Sequence, residues 1–393
     1  MRVLYSFFIR LYGFIVLFAS FFNTKAEKWR KNRKKWEIAL SDKPYVHRAC
    51  CWIHCASAGE FEQAIPLIKN LKKENVDLRI AVSFFSSSGF EMYHNSGWAD
   101  LFFYFPLDTK KNAGKLINIL KPDFVIFIRN EIWWNILVAL KERNIPTYLV
   151  NANLEQQRNF LYQQYLNKTY PLFTKIFGTK TYGNTKLEKV IENKKESFEN
   201  KILDDFCKDS FVLVLGSSWK IEEKIAADFY KRNKGKIQHL KIIIAPHEFN
   251  DNKANELETE FGESISTYTQ YSADDKKCPI LFLDKKGILK YAYRYANIAF
   301  IGGGFNKTIH NVSEAAVYSI PTIFGPCYYK FEEINELVNL QVAFSVKDGE
   351  SFEKKLMELI NDNKLQKSIK EKLQAYFSSQ ENVSAKIINE IVK

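Results

Sequence analysis

Residues 298–326 read IAFIGGGFNKTIHNVSEAAVYSIPTIFGP: four apolar residues, three glycines, a polar loop, a helix opening near Asn311, and a second apolar run ending at Gly325-Pro326. Strand, loop, helix and strand in that order form the repeating unit of a parallel sheet with helical crossovers. Gly302, Gly303 and Gly304 admit close backbone approach. A helix N-terminus beside them offers free amides and a positive dipole end, which suits a nucleotide phosphate. Glu314 lies three residues after a cap at Asn311 and could hold the two hydroxyls of a ribose. The same Asn-x-x-Glu spacing also describes a capping arrangement. Lys307 and His310 either help neutralise phosphate or are simply solvated.

The same pattern extends upstream. FVLVLG (211–216), KIIIAP (241–246), ILFLD (280–284) and PTIFG (321–325) are the other strands of the second half. CCWIHC (50–55), RIAVSFF (79–85), LFFYF (101–105), FVIFI (124–128) and PTYLVN (146–151) are those of the first. Helices intervene, notably 61–74, where Ala64, Ile65, Ile68 and Leu71 recur at helical spacing. A lysine- and glutamate-rich stretch, 186–208, precedes the fresh strand at Phe211 and sets the expected boundary. Residues 36–208 and 209–393 are then two Rossmann-like α/β domains, an organisation that 393 residues can support. In open sheets of this kind ligands bind beyond the carboxyl ends of the strands.

Residues 1–35 read differently. Val3 to Phe22 is apolar except for Arg10, and its twenty residues match a bilayer core, while the uninterrupted Leu11–Phe22 is too short to span. A spanning helix and a shallow monotopic helix both fit, because one mid-helix arginine costs a few kcal/mol unless it snorkels. The basic flank after the apolar run, with no small-residue cleavage site, argues against a cleaved signal peptide. Lys25, Lys28, Arg30, Lys31, Arg33, Lys34 and Lys35 face one acid, Glu27, a surplus of six that is half the net charge of +12. Charge concentrated there points to anionic lipid on the cytoplasmic side, not to nucleic acid. Cysteines 50, 51, 55, 207, 278 and 327 form no CxxC pair; the first three read as small hydrophobes of a buried strand.

Candidate chemistry sits at strand ends. CCWIHC runs into Ala56-Ser57-Ala58-Gly59-Glu60, so Glu60 could take a proton from an acceptor hydroxyl. Spacing alone favours a capping box with Ser57. FVIFI ends at Arg129-Asn130-Glu131, which brings a second carboxylate to the same sheet edge, although a first-turn helix acid would look the same. Ser86–Gly89 and Asn151-Ala152-Asn153 offer hydroxyl and amide groups suited to a polyol. Gly216-Ser217-Ser218-Trp219, followed by Glu222 and Glu223, is a small-residue turn open to a ligand or merely a turn.

Taken in order, WIHCASAGEFEQAIPLI, NEIWWN, GSSWKIEE, IAPHEF, IGGGFNKTIHNVSEAAVYSIPTIFGP and KFEEINEL resemble the Kdo transferases, which attach 3-deoxy-D-manno-octulosonic acid to lipid A precursors. The resemblance implies a GT-B fold, two Rossmann-like domains facing across a cleft behind a membrane-anchoring helix. It also implies CMP-Kdo as donor, a lipid A precursor of the lipid IVA type as acceptor, inversion at the anomeric carbon, and neither metal nor cofactor. Glu60 matches the glutamate of the family's S-x-G-E motif, together with Ser57 and Gly59, which makes it the general base and reverses the capping preference. Glu131 matches the last acid of a second motif, and Asn153 is a polyol-binding candidate. Ser217, Ser218, His247, Gly303, Gly304, Asn311 and Glu314 fall on donor-binding motifs. The expected mechanism has Glu60 deprotonating a glucosamine hydroxyl while amides around Gly303 and the helix near Asn311 hold the departing cytidine monophosphate. Arg129 stands where many members carry a first acid, and Pro246 where an arginine often precedes the histidine. The chain is also shorter than usual between Phe177 and Gly183. A nucleotide-sugar epimerase of the same fold and a membrane-tethered nucleotide- or anion-binding protein are the rival classes.

Overall fold

The computed structural model describes the chain apart from residues 35, 42–47, 155–158 and 307. It divides into two compact units, Met1–Lys189 with Asn382–Lys393, and Val190–Glu381.

The first unit is a parallel six-stranded sheet in the order β3-β2-β1-β4-β5-β6. Its strands are β1 (Cys50–Cys55), β2 (Arg79–Phe84), β3 (Leu101–Tyr104), β4 (Phe124–Ile128), β5 (Thr147–Ala152) and β6 (Lys175–Gly178). Every residue of β1, β2 and β5 is buried, as expected of strands covered on both faces by helices. Alternation splits β1 cleanly. Cys50 and Trp52 join one core cluster with Phe103, Phe127 and Leu149, while Cys51, Ile53 and Cys55 join the other with Phe61, Val82 and Ile126. All six cysteines are free, and the three in β1 pack as small apolar side chains.

The second unit is a parallel seven-stranded sheet, β13-β12-β11-β7-β8-β10-β9. Its strands are β7 (Phe211–Ser218), β8 (Leu240–Pro246), β9 (Ile265–Thr267), β10 (Ile280–Phe282), β11 (Ile298–Ile301), β12 (Thr322–Phe324) and β13 (Ala343–Ser345).

The boundary lies at Lys189/Val190, earlier than the expected 208/209, and the last twelve residues return to the first unit. The charged stretch is helical, not a linker: helix Lys201–Cys207 buries Leu203 and Phe206, and Asn200 donates to Tyr268 Oη at 2.5 Å, all within the second unit. The terminal helix Val383–Ile391 places Val383, Ile387 and Ile388 in the first unit's core, while Ser384 donates to Glu188 Oε1 at 2.9 Å and accepts from Asn70 Nδ2 at 2.7 Å. Ile387 is fully buried. Ile387→Ala should therefore cost roughly 2–5 kcal/mol, read as a lower urea midpoint for the transition that exposes the first unit.

Helix Arg2–Ala19 is long and apolar enough to cross a membrane, and none of it is buried. One side holds to the first unit. Tyr5 Oη donates to Asp108 Oδ2 at 2.7 Å, Arg2 Nε donates to Asn135 Oδ1 at 3.1 Å, and Gly13 leaves room for Leu107. Phe7, Phe14, Phe18 and Phe22 stay exposed. The following helix, Thr24–Arg33, is pinned by buried Arg33, whose guanidinium lies 3.9 Å over the Trp29 ring and donates to the carbonyls of Phe105 and Phe85.

Candidate active site and donor site

In the first unit β1 and β4 are sheet neighbours, so the turns leaving their carboxyl ends lie side by side. Helix Ala58–Glu74 opens from the β1 turn with Ser57 as its extended N-cap. The reciprocal capping box does not form. Ser57 makes no side-chain cap hydrogen bond, and Glu60 Oε2 instead accepts from the amide of Ala56, one residue earlier, at 2.5 Å.

That half-buried carboxyl is a strong base for its kind. Burial and, next, the charge of Glu131 push it up to about 7, against the opposing Ala56 N–H and Arg129. The two strand-end glutamates are thus close enough to feel one another. Gly59 is exposed, and a methyl group built there would meet nothing within 4 Å, so the face beside Glu60 is open.

Glu131 sits on a buried chain of polar groups that the sequence reading did not pick out. Trp133 Nε1 donates to Glu131 Oε2 at 2.9 Å, and His54 Nε2 lies 3.3 Å from the same oxygen. His54 Nδ1 is 2.8 Å from Ser83 Oγ, which accepts from Trp52 Nε1 at 2.8 Å. One signal was available: His54 is an imidazole inside an otherwise apolar six-residue strand, and such a group must find partners when buried.

In the other candidate loops of this unit Ser86 and Asn151 bond within the fold. Ser86 caps helix Ser87–Tyr93 by accepting from Gly89 N at 3.2 Å. Asn151, at φ +60°, donates to Gln63 Oε1 at 2.9 Å and Thr185 Oγ1 at 2.7 Å. Asn153 is half-buried just past β5.

In the second unit the order β12-β11-β7-β8 puts four strand ends in a row. They carry Ser217, Ser218, His247, Gly302–Gly304 and Gly325. His247 N donates to the Ser218 carbonyl at 2.9 Å, and the His247 ring stacks on Trp219 at 4.7 Å and on His310 at 4.4 Å. Asn311 Nδ2 donates to Glu314 Oε1 at 2.9 Å. Tyr293, whose hydroxyl lies over Gly216, feels the Glu314 charge, so Glu314 belongs to the same edge. Asn311 Oδ1 and Ser313 Oγ are buried without a hydrogen-bond partner. A cavity of ≈ 360 Å³ adjoins this edge, lined by Ser218, Trp219, Lys220, Glu248, Phe249 and Lys253 among others.

Three expectations for this edge change. The glycines do admit close approach, but of the chain's own backbone: a Cβ on Gly302 would lie 2.0 Å from the Ser217 carbonyl, and one on Gly304 2.6 Å from Gly325 N. The Gly303 amide donates to Glu222 Oε1 at 2.8 Å, so it is not free for a phosphate. The helix expected near Asn311 begins at Ser313 and runs only to Ala316, too short to concentrate a macrodipole. Burial and neighbouring His247 hold His310 down at about 4, leaving it neutral near pH 7 and unable to act as a cation. Lys307 lies outside the described residues. Glu222, read from the sequence only as following the small-residue turn, has a larger part. It is fully buried, and it also accepts from Trp219 N at 3.1 Å, tying the glycine turn to the β7 turn. Among the described residues no cluster of three metal-ligating side chains exists.

Known proteins share this construction. A UDP-N-acetylglucosamine 2-epimerase from Listeria monocytogenes superposes with a TM-score of 0.61 at 11% identity, covering 88% of this chain and 96% of that one. A glycosyltransferase from Rickettsia africae gives 0.55 at 11% identity, with 88% and 98% covered. Two parallel-sheet units of this kind define the GT-B glycosyltransferase fold. Residues 27–195 match the family model described as 3-deoxy-D-manno-octulosonic-acid transferase (kdotransferase). The 3-deoxy-D-manno-octulosonic acid transferase of Aquifex aeolicus is 29% identical over 331 residues, 81% of this chain and 88% of that protein. The chain is thus similar to Kdo transferases over most of its length.

Proposed function

We propose that this protein transfers Kdo from CMP-Kdo to a lipid A precursor of the lipid IVA type, with inversion, at the cytoplasmic face of the inner membrane. The observation that carries the reading is Glu60: a carboxylate at a strand end, raised to about 7 by burial and Glu131, beside an open glycine face. A general base works best when its pKa lies near the operating pH. Glu60 takes the proton of the acceptor hydroxyl as that oxygen bonds to the anomeric carbon of Kdo. The bond from that carbon to the phosphate oxygen breaks, and cytidine monophosphate leaves with the electron pair. Burial and, next, the charge of Glu131 set the basicity of Glu60.

The second unit holds the donor along Ser217, Ser218, His247, Gly304, Asn311 and Glu314. The unspent Asn311 carbonyl oxygen and Ser313 hydroxyl suit sugar hydroxyls. Gly303 serves as the turn that Glu222 fastens. The exposed phenylalanines of helix Arg2–Ala19 and the cations Lys28, Lys31 and Lys34 support a lipid-facing side.

The test is incubation with CMP-Kdo and a tetra-acylated lipid A precursor, followed by mass spectrometry of the lipid. Transfer adds the Kdo mass. An isomerised nucleotide sugar would mark an epimerase, and the absence of turnover a binding protein. Gly59→Ala sharpens the reading. Its Cβ meets nothing, so the melting temperature should stay within a few degrees, while the methyl group on the acceptor face should cut transfer roughly tenfold or more.

A further inference from the structure

The buried polar chain behind Glu131 admits one arrangement of hydrogens in which every donor is used. Trp52 Nε1 and Trp133 Nε1 can only donate. Trp52 gives its proton to Ser83 Oγ, and Ser83 gives its own to His54 Nδ1, at 2.8 Å in each case. His54 then carries its proton on Nε2, aimed at Glu131 Oε2 3.3 Å away, where the Trp133 proton also arrives at 2.9 Å. The Trp133 N–H also points at His54 Nε2, 3.0 Å away, a bond that only the opposite tautomer could accept. In that tautomer the Ser83 hydroxyl would lose its acceptor on Nδ1, and no proton would run from the imidazole to the carboxylate. Aromatic rings wall the chain in: Phe105 lies 4.4 Å and Phe127 5.6 Å from the imidazole. His54 is fully buried, and the Glu131 side chain is 18% exposed.

We propose that His54 is a positioning residue for the transfer reaction: fixed in one tautomer by Ser83 and Trp52, it holds Glu131 as an oriented carboxylate beside Glu60 through its Nε2–H. The other titratable groups facing Glu131 are Glu60 from helix Ala58–Glu74, Cys55 at the end of β1, and Tyr165 from helix Phe160–Thr169. Arg129, next to it in the turn, acts on Glu60 from the same side. Of these, Arg129 alone is cationic, and it acts by charge; the imidazole supplies direction. The consequence runs through Glu60. Without the His54 donor the Glu131 carboxylate is no longer held towards Glu60, the repulsion between the two weakens, and Glu60 becomes a weaker base.

This inference rests on Glu60 acting as the base, so kcat and KM are measured across pH for the full chain in mixed lipid micelles, with wild type alongside His54→Leu, His54→Gln and Ser83→Ala. His54→Leu should lower kcat about 10- to 100-fold, the worth of one charge-assisted hydrogen bond, and move the acid limb to lower pH with KM for the donor unchanged. His54→Gln puts an amide N–H near the Nε2 position and should recover about tenfold of the loss. Ser83→Ala should shift the limb in the same direction with roughly a threefold to tenfold loss. A wild-type kcat and limb in His54→Leu would overturn the inference, as would equal losses in the Leu and Gln variants with the limb in place. Should His54→Leu fail to fold, an unmoved limb in Ser83→Ala overturns it. An inactive wild type removes the transfer reading and takes this inference with it; an active wild type with unmoved variants removes the inference alone.

Discussion

Glu60→Gln is expected to lower Kdo transfer about 10²- to 10⁴-fold, the range that a positioned general base contributes, while leaving CMP-Kdo binding within a factor of two or so of wild type. The amide keeps the shape and can still accept from Ala56 N–H, so the turn and helix Ala58–Glu74 survive. What it cannot do is take a proton. Wild type should show kcat/KM falling tenfold per pH unit below about 7, since Glu60 works only when ionised and its proton is held up to about that pH. An ordinary glutamate would keep the rate flat down to the mid-fours. Stability runs the other way. A carboxyl with a folded pKa raised above its unfolded value stabilises the fold when protonated, and that contribution is lost as the pH climbs through about 7. The neutral Gln variant should therefore be at least as stable as wild type at pH 8 by thermal unfolding. A fully active Glu60→Gln enzyme, or a wild-type profile flat to pH 5, would remove Glu60 as the base.

The central strands of both sheets were legible because burial on two faces forces long apolar runs. The ten strands read from sequence include β1, β2, β4, β5, β7 and β8, all interior. The three not read, β6, β9 and β13, are all edge strands. KIFG, IST and AFS are short and only partly buried, so they carry too little apolar pattern to stand out. The domain boundary was misplaced for a related reason: a run rich in lysine and glutamate looks like a linker until its few apolar residues, Leu203 and Phe206, find a core.

For the candidate site, resemblance and spacing pointed to Glu60 and Glu131 but not to what lies behind them. A glutamate three residues after a serine could cap or catalyse; in the structure its carboxylate accepts from Ala56 N–H and feels the Glu131 charge. His54 and the larger part of Glu222 were passed over because partners 77 and 81 residues away leave no local pattern. The three glycines were read correctly as close-approach residues, yet sequence cannot say whether a ligand or another turn does the approaching.

Glu222→Ala should be the most damaging change in the second unit. Its carboxylate accepts from Trp219 N at 3.1 Å and Gly303 N at 2.8 Å, and the side chain is fully buried. Removing it leaves two amides without acceptors and a cavity the size of the lost carboxyl. At about 1–3 kcal/mol for each orphaned amide, the loss should be roughly 2–6 kcal/mol. Burial raises the pKa of Glu222, and the bonded amides oppose that, so the group is held in place by its donors as much as it holds them. Glu222→Gln separates the two contributions. It keeps one acceptor oxygen but turns an NH2 towards the other amide, so it should fall between wild type and alanine in stability. Both turns carry candidate donor residues, Ser217 and Ser218 on one and Gly304 on the other. CMP-Kdo affinity by titration calorimetry should therefore fall in the same order as stability: wild type, glutamine, alanine. If alanine lost stability yet bound the donor as wild type does, these turns would be scaffold alone and the donor would have to sit elsewhere on the sheet edge.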